Sequence, residues 1–546
     1  MSDKPMSDEP MSDKAVTNKT TADKTTSDKT LWQLFAEAAE KYPNTAMLID
    51  TTDSSQLTFS EALQQSERLA AALFNRGVRA GTIVTWLLPT RTATVLLTLA
   101  LARIGAVQNP VLHLYREREL SGIVAQSKPK IVVVPTATSA CDYPQMAKAA
   151  IANSGHPAEL MVLGETILDE SLPQADPAVL PPSPQDSGVV RWIYCTSGTT
   201  STPKGVLHTD SSLIGGGDAL CYGSQPTERD VGSLAFPFAH IGGVIYIVMQ
   251  FRCGFPIVLI DKFIPDRVID IFRRYGVTMG GGSTAHYQAI LAEQRKQPGV
   301  PIVPTLRILS GGGAAKPPEL YFDVVREVGC AVVHAYGMTE SPLAVSNSVI
   351  DTDEDCAYTD GKPVSGMQVR IVRNDGSLAD AGEEGEIRIR GTNVCKGYLD
   401  PEQTDAAFDE SGFFRTGDLG VLSATGRLSI TGRIKDVIIR KGENISAKEI
   451  EDLLYMHPKI GDVAVIGLPD ADRGERVCAV VELKDTAKPI TFAEMSEFLQ
   501  SHQLMKQKIP EQLEIIDRLP RNEALNKVIK YQLRDRYKNS PIQRQM

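Results

Sequence analysis

One stretch of the chain combines small, hydroxyl-bearing and basic residues in a pattern that suits phosphate binding. It reads Tyr194-Cys-Thr-Ser-Gly-Thr-Thr-Ser-Thr-Pro-Lys-Gly205. Small residues let backbone N–H groups approach an anion, and hydroxyl groups with one ammonium group add donors. The string does not fit the Walker A pattern GxxxxGK[ST], and a loosely similar loop is usually an ordinary surface turn. The full string is much rarer, which favours a phosphate site formed by Thr196, Ser197, Gly198, Thr199, Thr200 and Lys204.

Carboxylates that could bind a cation or a sugar follow further along the chain. The segment Tyr336-Gly-Met-Thr-Glu-Ser341 sets a carboxylate beside a hydroxyl, and Thr416-Gly-Asp418 adds a second carboxylate. A hard cation such as Mg²⁺ prefers carboxylate and phosphate oxygens, so Glu340 is a candidate metal ligand. A carboxylate also accepts two hydroxyl hydrogen bonds well, as a ribose would donate them. A lone Thr-Glu pair is more often a helix N-cap, so these groups gain meaning only together.

These strings, in this order, resemble those of the adenylate-forming (AMP-binding) superfamily. That superfamily includes acyl-CoA synthetases, firefly-type luciferases and peptide-synthetase adenylation domains. Two further strings carry the likeness, namely the aromatic and histidine motif Phe236–Gly243 and the Gly-rich turn Ser310–Ala314. The matching motifs cover nearly the whole chain from Leu31 to Arg534. The chain is similar above all to the acyl-CoA synthetase, or fatty-acid–CoA ligase, branch.

The resemblance implies a role for each matching residue. Tyr336 would stack on adenine, Thr339 would contact the α-phosphate, and Asp418 would bind ribose. The residues implied to contact ATP or coenzyme A are the phosphate loop with Lys204, Gly312, Gly313, Tyr336, Gly337, Asp418, Arg433, Lys441 and Gly442. The residues implied in catalysis are Lys527, Glu340, Thr339 and His240. Mg²⁺ would be held by Glu340 and Thr199.

The catalytic lysine is the least regular part of the resemblance. The family reads P-R-T-x-x-G-K, whereas this chain reads Pro520-Arg-Asn-Glu-Ala-Leu-Asn-Lys-Val-Ile-Lys530. Counting from Pro520 puts Asn526 at the lysine position, while counting back from Lys530 and Leu533 selects Lys527. We interpret the string as a loop with one extra residue, in which Lys527 is the catalytic lysine and Lys530 the alternative.

Alternating helical and strand-like runs predict an α/β fold with two domains. Strand-like runs such as Lys130–Val134 interleave with helical ones, which favours a large domain of mostly parallel sheets with helices. Ligands of such folds bind at the carboxyl ends of strands. We place the large AMP-binding domain at residues 31–434 and a small, mobile α+β domain at 435–546, with a hinge at Lys435. Residues 1–30 form a degenerate five-residue repeat that we expect to be a disordered tail.

Composition argues against several classes of function. A net charge of −10 argues against nucleic acid as the main partner. The eight cysteines form no CxxC pair, so neither a cysteine metal site nor a disulfide framework is predicted. The longest apolar run, Thr94–Val107, is too short for a membrane span and predicts a buried helix. We expect a cytoplasmic protein without a signal peptide or an integral membrane span, and a homodimer is left open.

The implied reaction joins a carboxylic acid to coenzyme A at the expense of ATP. The acid would attack the α-phosphate to give an acyl-adenylate and pyrophosphate, and the CoA thiol would then displace AMP. Phe236–Gly243 contains no acidic residue, which argues against an amino-acid substrate. Small residues near the acyl site favour a medium- or long-chain, alicyclic or steroid-derived acid, although the same glycines could simply serve turns. The alternatives are transfer to a carrier protein, luciferase-like oxygenation, and a nucleotide-binding pseudoenzyme.

Overall fold

The first helix starts at Leu31, the predicted start of the large domain, and its cap is the preceding residue. The Thr30 hydroxyl accepts a hydrogen bond from the backbone N–H of Gln33 and caps the first helix, and Thr30 is buried. The structure, a computed structural model, describes residues 28–164, 173–196, 203–314, 316–441, 443–470, 473–521 and 527–540. Residues 1–27, the greater part of the predicted tail, lie outside this set.

Helices and strands alternate along most of the chain. The helices are α1 Leu31–Lys41, α2 Phe59–Asn75, α3 Thr92–Ile104, α4 Glu117–Ser127, α5 Tyr143–Ser154, α6 Asp210–Ser224, α7 Ile241–Cys253, α8 Pro265–Tyr275, α9 Thr284–Arg295, α10 Pro318–Asp323, α11 Asp353–Tyr358, α12 Pro401–Ala407, α13 Ala447–Tyr455, α14 Phe492–Ser501 and α15 Lys530–Tyr537. The strands before residue 350 are β1 Ala46–Asp50, β2 Gln56–Thr58, β3 Ile83–Leu87, β4 Val107–Val111, β5 Ile131–Pro135, β6 Glu159–Leu163, β7 Val190–Thr196, β8 Lys204–Thr209, β9 Gly232–Leu234, β10 Ile257–Leu259, β11 Met279–Gly282, β12 Ile308–Gly312, β13 Ala331–Met338 and β14 Ser341–Ser346. The later strands are β15 Lys362–Pro363, β16 Met367–Val372, β17 Glu384–Gly391, β18 Phe414–Leu422, β19 Leu428–Arg433, β20 Ile438–Arg440, β21 Glu443–Ile445, β22 Ile460–Asp470, β23 Gly474–Leu483 and β24 Gln512–Ile515.

Two sheets of mainly parallel strands form the scaffold of the large domain. The six-stranded sheet has the order β6-β5-β3-β4-β7-β8 and is parallel except at the β7–β8 hairpin. The nine-stranded sheet has the order β15-β14-β13-β12-β11-β9-β10-β1-β2, with parallel pairing from β13 to β1 and antiparallel pairs at both ends. The predicted α/β class, with a large domain of mostly parallel sheets and a smaller C-terminal domain, is therefore confirmed.

Two apolar helices fill the centre of the large domain. Nearly every residue of α3 and α7 is buried, as expected for helices that are hydrophobic on all sides inside a large protein. One apolar cluster joins both helices to Trp86 of the six-stranded sheet and Leu259 of the nine-stranded sheet. The apolar run Thr94–Val107 is thus mostly a buried helix, as predicted. In the part of the chain that the structure describes, no helix combines the length and apolar character that a membrane crossing needs.

The last hundred residues build a sheet and a core of their own. The chain leaves the antiparallel sheet β16-β17-β18-β19 at Arg433 and enters the sheet β21-β20-β23-β22, with β24 paired to β23, at Ile438. Helices α13 and α14 pack on this sheet through a separate apolar cluster that includes Ile450 and Leu499. Lys435 lies in the short turn Ile434–Asp436 between the two sheets. Its role as a hinge stays a prediction.

Candidate active site

Three of the predicted motifs begin at the carboxyl ends of parallel strands. β7 runs into the phosphate loop at Thr196, β12 ends in the Gly-rich turn at Gly312, and β13 carries Tyr336 and leads to Glu340. β12 and β13 are neighbours in register, with Gly312 opposite Ala335. Backbone groups and loops at the carboxyl ends of such strands form the usual ligand-binding crevice. The sequence motifs therefore fall where the topology expects a site.

The two ends of the phosphate loop are held by the β7–β8 hairpin. Thr196, the last residue of β7, pairs with Lys204, the first residue of β8. The Lys204 ammonium lies 5.3 Å from the ring centroid of Tyr398, which is a cation–π distance. The predicted phosphate ligands Ser197, Gly198, Thr199 and Thr200 lie outside the described residues, and so does the proposed contribution of Thr199 to the metal.

Glu340 and Thr339 are fixed by contacts with two different segments. The Tyr398 hydroxyl donates a hydrogen bond of 2.8 Å to Glu340 Oε1. The backbone carbonyl of Thr339 accepts a hydrogen bond of 2.7 Å from Nε2 of the buried His208, whose Nδ1 faces the Ser212 hydroxyl at 2.9 Å. Burial lowers the pKa of His208 to about 4, so this imidazole is neutral near pH 7. The turn that carries Thr339 and Glu340 is thereby anchored at its backbone and at its carboxylate.

The proposed adenosine end of the site holds a tyrosine, a carboxylate and a guanidinium. The Tyr336 hydroxyl donates a hydrogen bond of 2.7 Å to Asp418 Oδ2, and Arg433 Nε lies 2.8 Å from Asp418 Oδ1. Burial and the adjacent Asp418 carboxylate raise the pKa of Tyr336 well above its usual value, so the phenol keeps its proton. Asp418 is buried whereas Arg433 is exposed. The structure thus brings together three residues that lie up to 97 positions apart in the chain.

The Gly-rich turn brings the backbone close to its neighbours because side chains are missing there. A Cβ at Gly312 would lie 2.1 Å from the Ala335 carbonyl oxygen, and a Cβ at Gly337 would lie 2.3 Å from the Pro342 carbonyl oxygen. Gly313 has a φ of +80°. A Cβ at Gly313 would also lie 3.4 Å from Cε of Lys527. Because they lack side chains, Gly312 and Gly337 allow backbone carbonyls to approach closely, and Gly313 leaves room for the Lys527 side chain.

Lys527, and not Lys530, reaches this surface from the C-terminal domain. Desolvation, assisted by the positive charge of Arg433, lowers the pKa of Lys527 to about 8. Lys530 instead forms an ion pair of 2.7 Å with Glu451 inside the C-terminal domain. The sequence predicts a loop that is one residue longer than the family's, with Asn526 in place of the glycine, and residues 522–526 lie outside the described residues. The choice of Lys527 as the catalytic lysine stays a prediction, and the geometry favours it.

His240 stands beside Lys527 in an uncharged form. Its Nδ1 accepts a hydrogen bond of 3.1 Å from the backbone N–H of Gly242, at the start of α7. Desolvation, with a smaller effect of the Lys527 charge, lowers the pKa of His240 to about 4. Because Nδ1 accepts, the proton of the neutral ring sits on Nε2. His240 also lines a narrow cavity with Thr339, Tyr194 and Cys195.

Aromatic side chains close the region next to His240. A Cβ at Gly282 would lie 3.1 Å from both Phe236 Cδ1 and His286 Cε1, and a Cβ at Gly242 would lie 3.2 Å from Phe236. The rings of His286 and Phe263 meet edge to face at 4.3 Å. Burial lowers the pKa of His286 to about 4, so this ring is uncharged near pH 7. The wall is suited to an apolar group.

Lys441, one of the two residues predicted to meet coenzyme A, lies elsewhere in the C-terminal domain. Lys441 is exposed at the turn between β20 and β21, with a φ of +52°, and its backbone N–H donates to the Arg473 carbonyl at 2.8 Å. Gly442 lies outside the described residues. The structure therefore links Lys204 to Glu340 through Tyr398, Tyr336 to Asp418 and Arg433, and Lys527 to Gly313, while Lys441 occupies a separate, solvent-exposed turn.

The donor set fits a cation that is held mostly by nucleotide phosphates. In residues 28–540, apart from the gaps named above, no three His, Cys, Asp or Glu side chains cluster in a way that could hold a metal ion. Mg²⁺ keeps several waters and commonly uses one or two carboxylates with substrate phosphates. Glu340, close to Lys204 through Tyr398, supplies such a carboxylate. Sequence reasoning missed Tyr398 and His208, since nothing in the spacing of either residue marks its contact.

Comparison with known proteins agrees with this arrangement. The family model of the AMP-binding enzyme matches residues 35–399, and that of the AMP-binding enzyme C-terminal domain matches residues 449–524. The chain is 31% identical over 518 residues to the medium-chain fatty-acid–CoA ligase of Escherichia coli, covering 92% of this chain and 89% of that enzyme. It is 30% identical over 503 residues to the salicyl-AMP ligase/salicyl-S-ArCP synthetase of Mycobacterium tuberculosis, covering 89% and 87%.

Solved structures show the same fold. ATP-bound MatB from Rhodopseudomonas palustris superposes with a TM-score of 0.83 at 28% identity and covers 93% of this chain and 99% of its own. Similar structures of o-succinylbenzoate CoA synthetase from Bacillus subtilis hold ATP with a magnesium ion in one case and an acyl-adenylate in another. ATP and coenzyme A are the cosubstrates of this group of ligases, and Mg²⁺ is their metal cofactor. The chain therefore belongs to the AMP-binding enzyme family and, within it, to the branch of ATP-dependent, AMP-forming acid–CoA ligases.

Proposed function

We propose that this ligase activates an apolar carboxylic acid of medium or long chain length, or an alicyclic or steroid-derived acid, and transfers it to coenzyme A. The observation that carries the proposal is the position of Lys527 on the Gly313 turn, beside His240 and the aromatic wall. This is where an ammonium group can meet both a carboxylate and a phosphate. The acyl group would extend along Phe236, Phe263 and His286. The similarity to a medium-chain fatty-acid–CoA ligase supports the same acid class.

The first half-reaction needs positive charge where two anions meet. The substrate carboxylate and the α-phosphate repel each other, and Lys527 would bridge them while charge builds on the phosphoryl oxygens. Asp418 and Tyr336 would orient the adenosine, and Lys204 would face the departing pyrophosphate. Mg²⁺ bound at Glu340 would offset charge on the phosphates. Positioning of the carboxylate for in-line attack would supply much of the remaining acceleration.

The second half-reaction needs a different face of the C-terminal domain next to the acyl-adenylate. We propose that the C-terminal domain turns about Lys435, which withdraws Lys527 and brings the Lys441–Gly442 turn to the acyl-adenylate. The CoA thiol then attacks the mixed anhydride, and AMP leaves. The exposed position of Lys441 and the inserted position of Lys527 fit a protein arranged for the first half-reaction.

The apolar wall favours this acid class over charged acids. The two imidazoles described beside Phe236, those of His240 and His286, are neutral near pH 7, and the neighbouring Lys527 ammonium is taken up by the reacting carboxylate in the proposed first half-reaction. A second charged group on the acid would have to be desolvated there without a partner, which is costly. An amino acid or a dicarboxylic acid is therefore disfavoured.

Transfer to a carrier protein is the second candidate function. The relative named salicyl-AMP ligase/salicyl-S-ArCP synthetase, at 30% identity, is the observation that keeps it open. Such an enzyme would release AMP only when a carrier protein is added, and coenzyme A would have no effect. A nucleotide-binding pseudoenzyme is disfavoured because Lys204, Glu340, Asp418 and Lys527 are all present. A homodimer stays a prediction that sedimentation velocity would test.

The decisive experiment measures pyrophosphate and AMP release with ATP and Mg²⁺. A panel of straight-chain, aromatic, alicyclic and steroid acids is assayed with and without coenzyme A. We expect pyrophosphate release with the apolar acids and AMP release that depends on coenzyme A. Pyrophosphate release that coenzyme A does not change would favour the carrier-protein alternative. A preference for dicarboxylic or amino acids would contradict the proposed acid class.

A further inference from the structure

A short backbone segment, residues 395–399, links two motifs that are far apart in the chain. The Cys395 N–H donates to the Glu340 carbonyl at 2.8 Å. The Lys396 N–H donates to the Leu207 carbonyl, and the Leu399 N–H donates to the Gly205 carbonyl, both at 2.8 Å. The segment therefore lies beside β8 through a short antiparallel bridge between Val206 and Tyr398, with one end bound to the Glu340 carbonyl. Its side chains have little freedom to change their direction.

Tyr398 is the side chain that this segment directs between the two motifs. It is buried, and its backbone N–H donates to the Thr404 hydroxyl at 2.9 Å. Its hydroxyl donates to Glu340 Oε1 at 2.8 Å, and the Lys204 ammonium lies 5.3 Å from its ring centroid. One rigid side chain thus touches both the candidate metal ligand and the candidate phosphate-binding lysine.

We propose that Tyr398 is a positioning residue that sets the Glu340 carboxylate for Mg²⁺ and the Lys204 ammonium for the phosphates that share that ion. The hydroxyl holds Glu340 Oε1, so that the carboxylate would be oriented to bind the cation, and the ring packs against the Lys204 ammonium. This inference rests on the proposed function, since it assigns a support to the same site. Residues that orient metal ligands commonly affect metal affinity nearly as strongly as the ligands themselves.

The test uses the full-length protein and a readout that does not require turnover. Mn²⁺ replaces Mg²⁺, and free Mn²⁺ is measured by electron paramagnetic resonance in the presence of ATP without any acid. We expect Tyr398→Phe to raise the Mn²⁺ dissociation constant about tenfold, because the Glu340 carboxylate loses its anchor. An unchanged dissociation constant would overturn the proposal.

A second tyrosine of the chain offers a matched control. The Tyr321 hydroxyl donates to Asp353 Oδ1 at 2.7 Å, and the Lys316 ammonium lies 5.4 Å from its ring centroid. Tyr321→Phe therefore removes the same kind of hydrogen bond under the same kind of lysine, away from the site. We expect its Mn²⁺ affinity to equal that of the unaltered protein. An equal loss in both variants would show a general effect of tyrosine removal and overturn the assignment.

A double-mutant cycle separates positioning from general damage to the fold. In a Glu340→Ala background, Mn²⁺ still binds to the phosphates of ATP, so its affinity stays measurable. If Tyr398 acts through Glu340, Tyr398→Phe has no further effect there, whereas a full additional loss would contradict the proposal. Tyr398→Leu removes the ring as well, and we expect weaker ATP binding than in Tyr398→Phe at saturating Mn²⁺. Equal ATP affinity in the two variants would contradict the proposal that the Tyr398 ring positions the Lys204 ammonium.

The outcome is independent of the acid substrate. If no acid gives pyrophosphate but Tyr398→Phe weakens Mn²⁺ binding as expected, the proposed function fails while the role of Tyr398 stands. If apolar acids are activated and the metal affinity of Tyr398→Phe is unchanged, the proposed function stands and the role of Tyr398 fails.

Discussion

At the scale of single residues, the site must bring two anions together, and the role of Lys527 in doing so can be tested most directly. Its ammonium lies against the Gly313 turn, whereas Lys530 is paired with Glu451 in the C-terminal domain. We expect Lys527→Ala to slow pyrophosphate release on the order of 10²- to 10³-fold, the usual effect of removing one donor to a developing charge. Thioester formation from supplied acyl-adenylate should be spared. Lys530→Ala is the control, and loss of both half-reactions in Lys527→Ala would contradict the model of two active faces.

The pKa of Lys527 also predicts the pH dependence of adenylation. Desolvation lowers this pKa from its usual value near 10.5 to about 8, so the ammonium charge is present below pH 8 and lost above it. We expect kcat/KM for ATP in pyrophosphate release to fall as the pH rises through about 8. The thioester step, measured from supplied acyl-adenylate, should not follow this pKa. An alkaline limb that persists unchanged in a Lys527→Arg variant with measurable activity would contradict the assignment.

At the scale of elements, the loop between β3 and α3 holds the aromatic and histidine motif. The buried Thr90 hydroxyl accepts a hydrogen bond of 2.9 Å from Phe238 N and donates one of 3.1 Å to the Phe236 carbonyl. The adjacent Arg91 forms a buried ion pair of 2.8 Å with Asp50 of β1. Thr90, which follows β3 of the six-stranded sheet, thereby fixes the loop that connects β9 of the nine-stranded sheet to His240.

Removing this hydroxyl should affect both stability and the use of the acid. Thr90→Val keeps the shape but leaves two buried backbone groups without a partner, so we expect a loss of about 1–3 kcal/mol in the free energy of unfolding. The KM for the acid should rise more than the KM for ATP, because the displaced loop carries Phe236 and His240. Urea denaturation and initial rates with each substrate varied measure the two effects. Thr90→Ser should restore both, and a Thr90→Ser variant as impaired as Thr90→Val would refute the hydrogen-bond explanation.

For the whole molecule, the central expectation is that the C-terminal domain occupies two orientations. In the present one, Lys527 is inserted and the Tyr455 hydroxyl of α13 accepts a hydrogen bond of 3.1 Å from Gln288 of α9. Rotation about Lys435 would break both contacts and expose Lys527 to solvent. We expect an amine-reactive reagent to modify Lys527 slowly with a bound acyl-adenylate analogue and faster when coenzyme A is added. Lys530, paired with Glu451 in its own domain, is the internal control, and equal labelling of Lys527 in both states would count against rotation.

Local strings of the sequence were enough to predict the fold class and the family. Helical periods, β-rich runs and five motifs with fixed internal spacing lie within short stretches, so their chemistry is visible without any tertiary contact. The sequence also singled out glycines such as Gly312 as site residues. Only the structure shows why a glycine is needed there, because the Ala335 carbonyl approaches too closely for a side chain. The catalytic lysine of the irregular C-terminal string was ambiguous, since counting from Pro520 placed Asn526 at the lysine position whereas counting back from Lys530 selected Lys527.

Contacts between distant segments were decided only by the tertiary structure. The Tyr398 hydroxyl meets a carboxylate 58 positions away, and Tyr336 meets Asp418 across 82 positions. Such contacts depend on which strands become neighbours, and no periodic pattern in the sequence encodes them. The same holds for the neutral state of His240 and the lowered pKa of Lys527, because both result from desolvation where two domains meet. The sequence by itself thus determined which chemical groups this ligase has, and the packing of the two domains decided which of them face one another and with what charge.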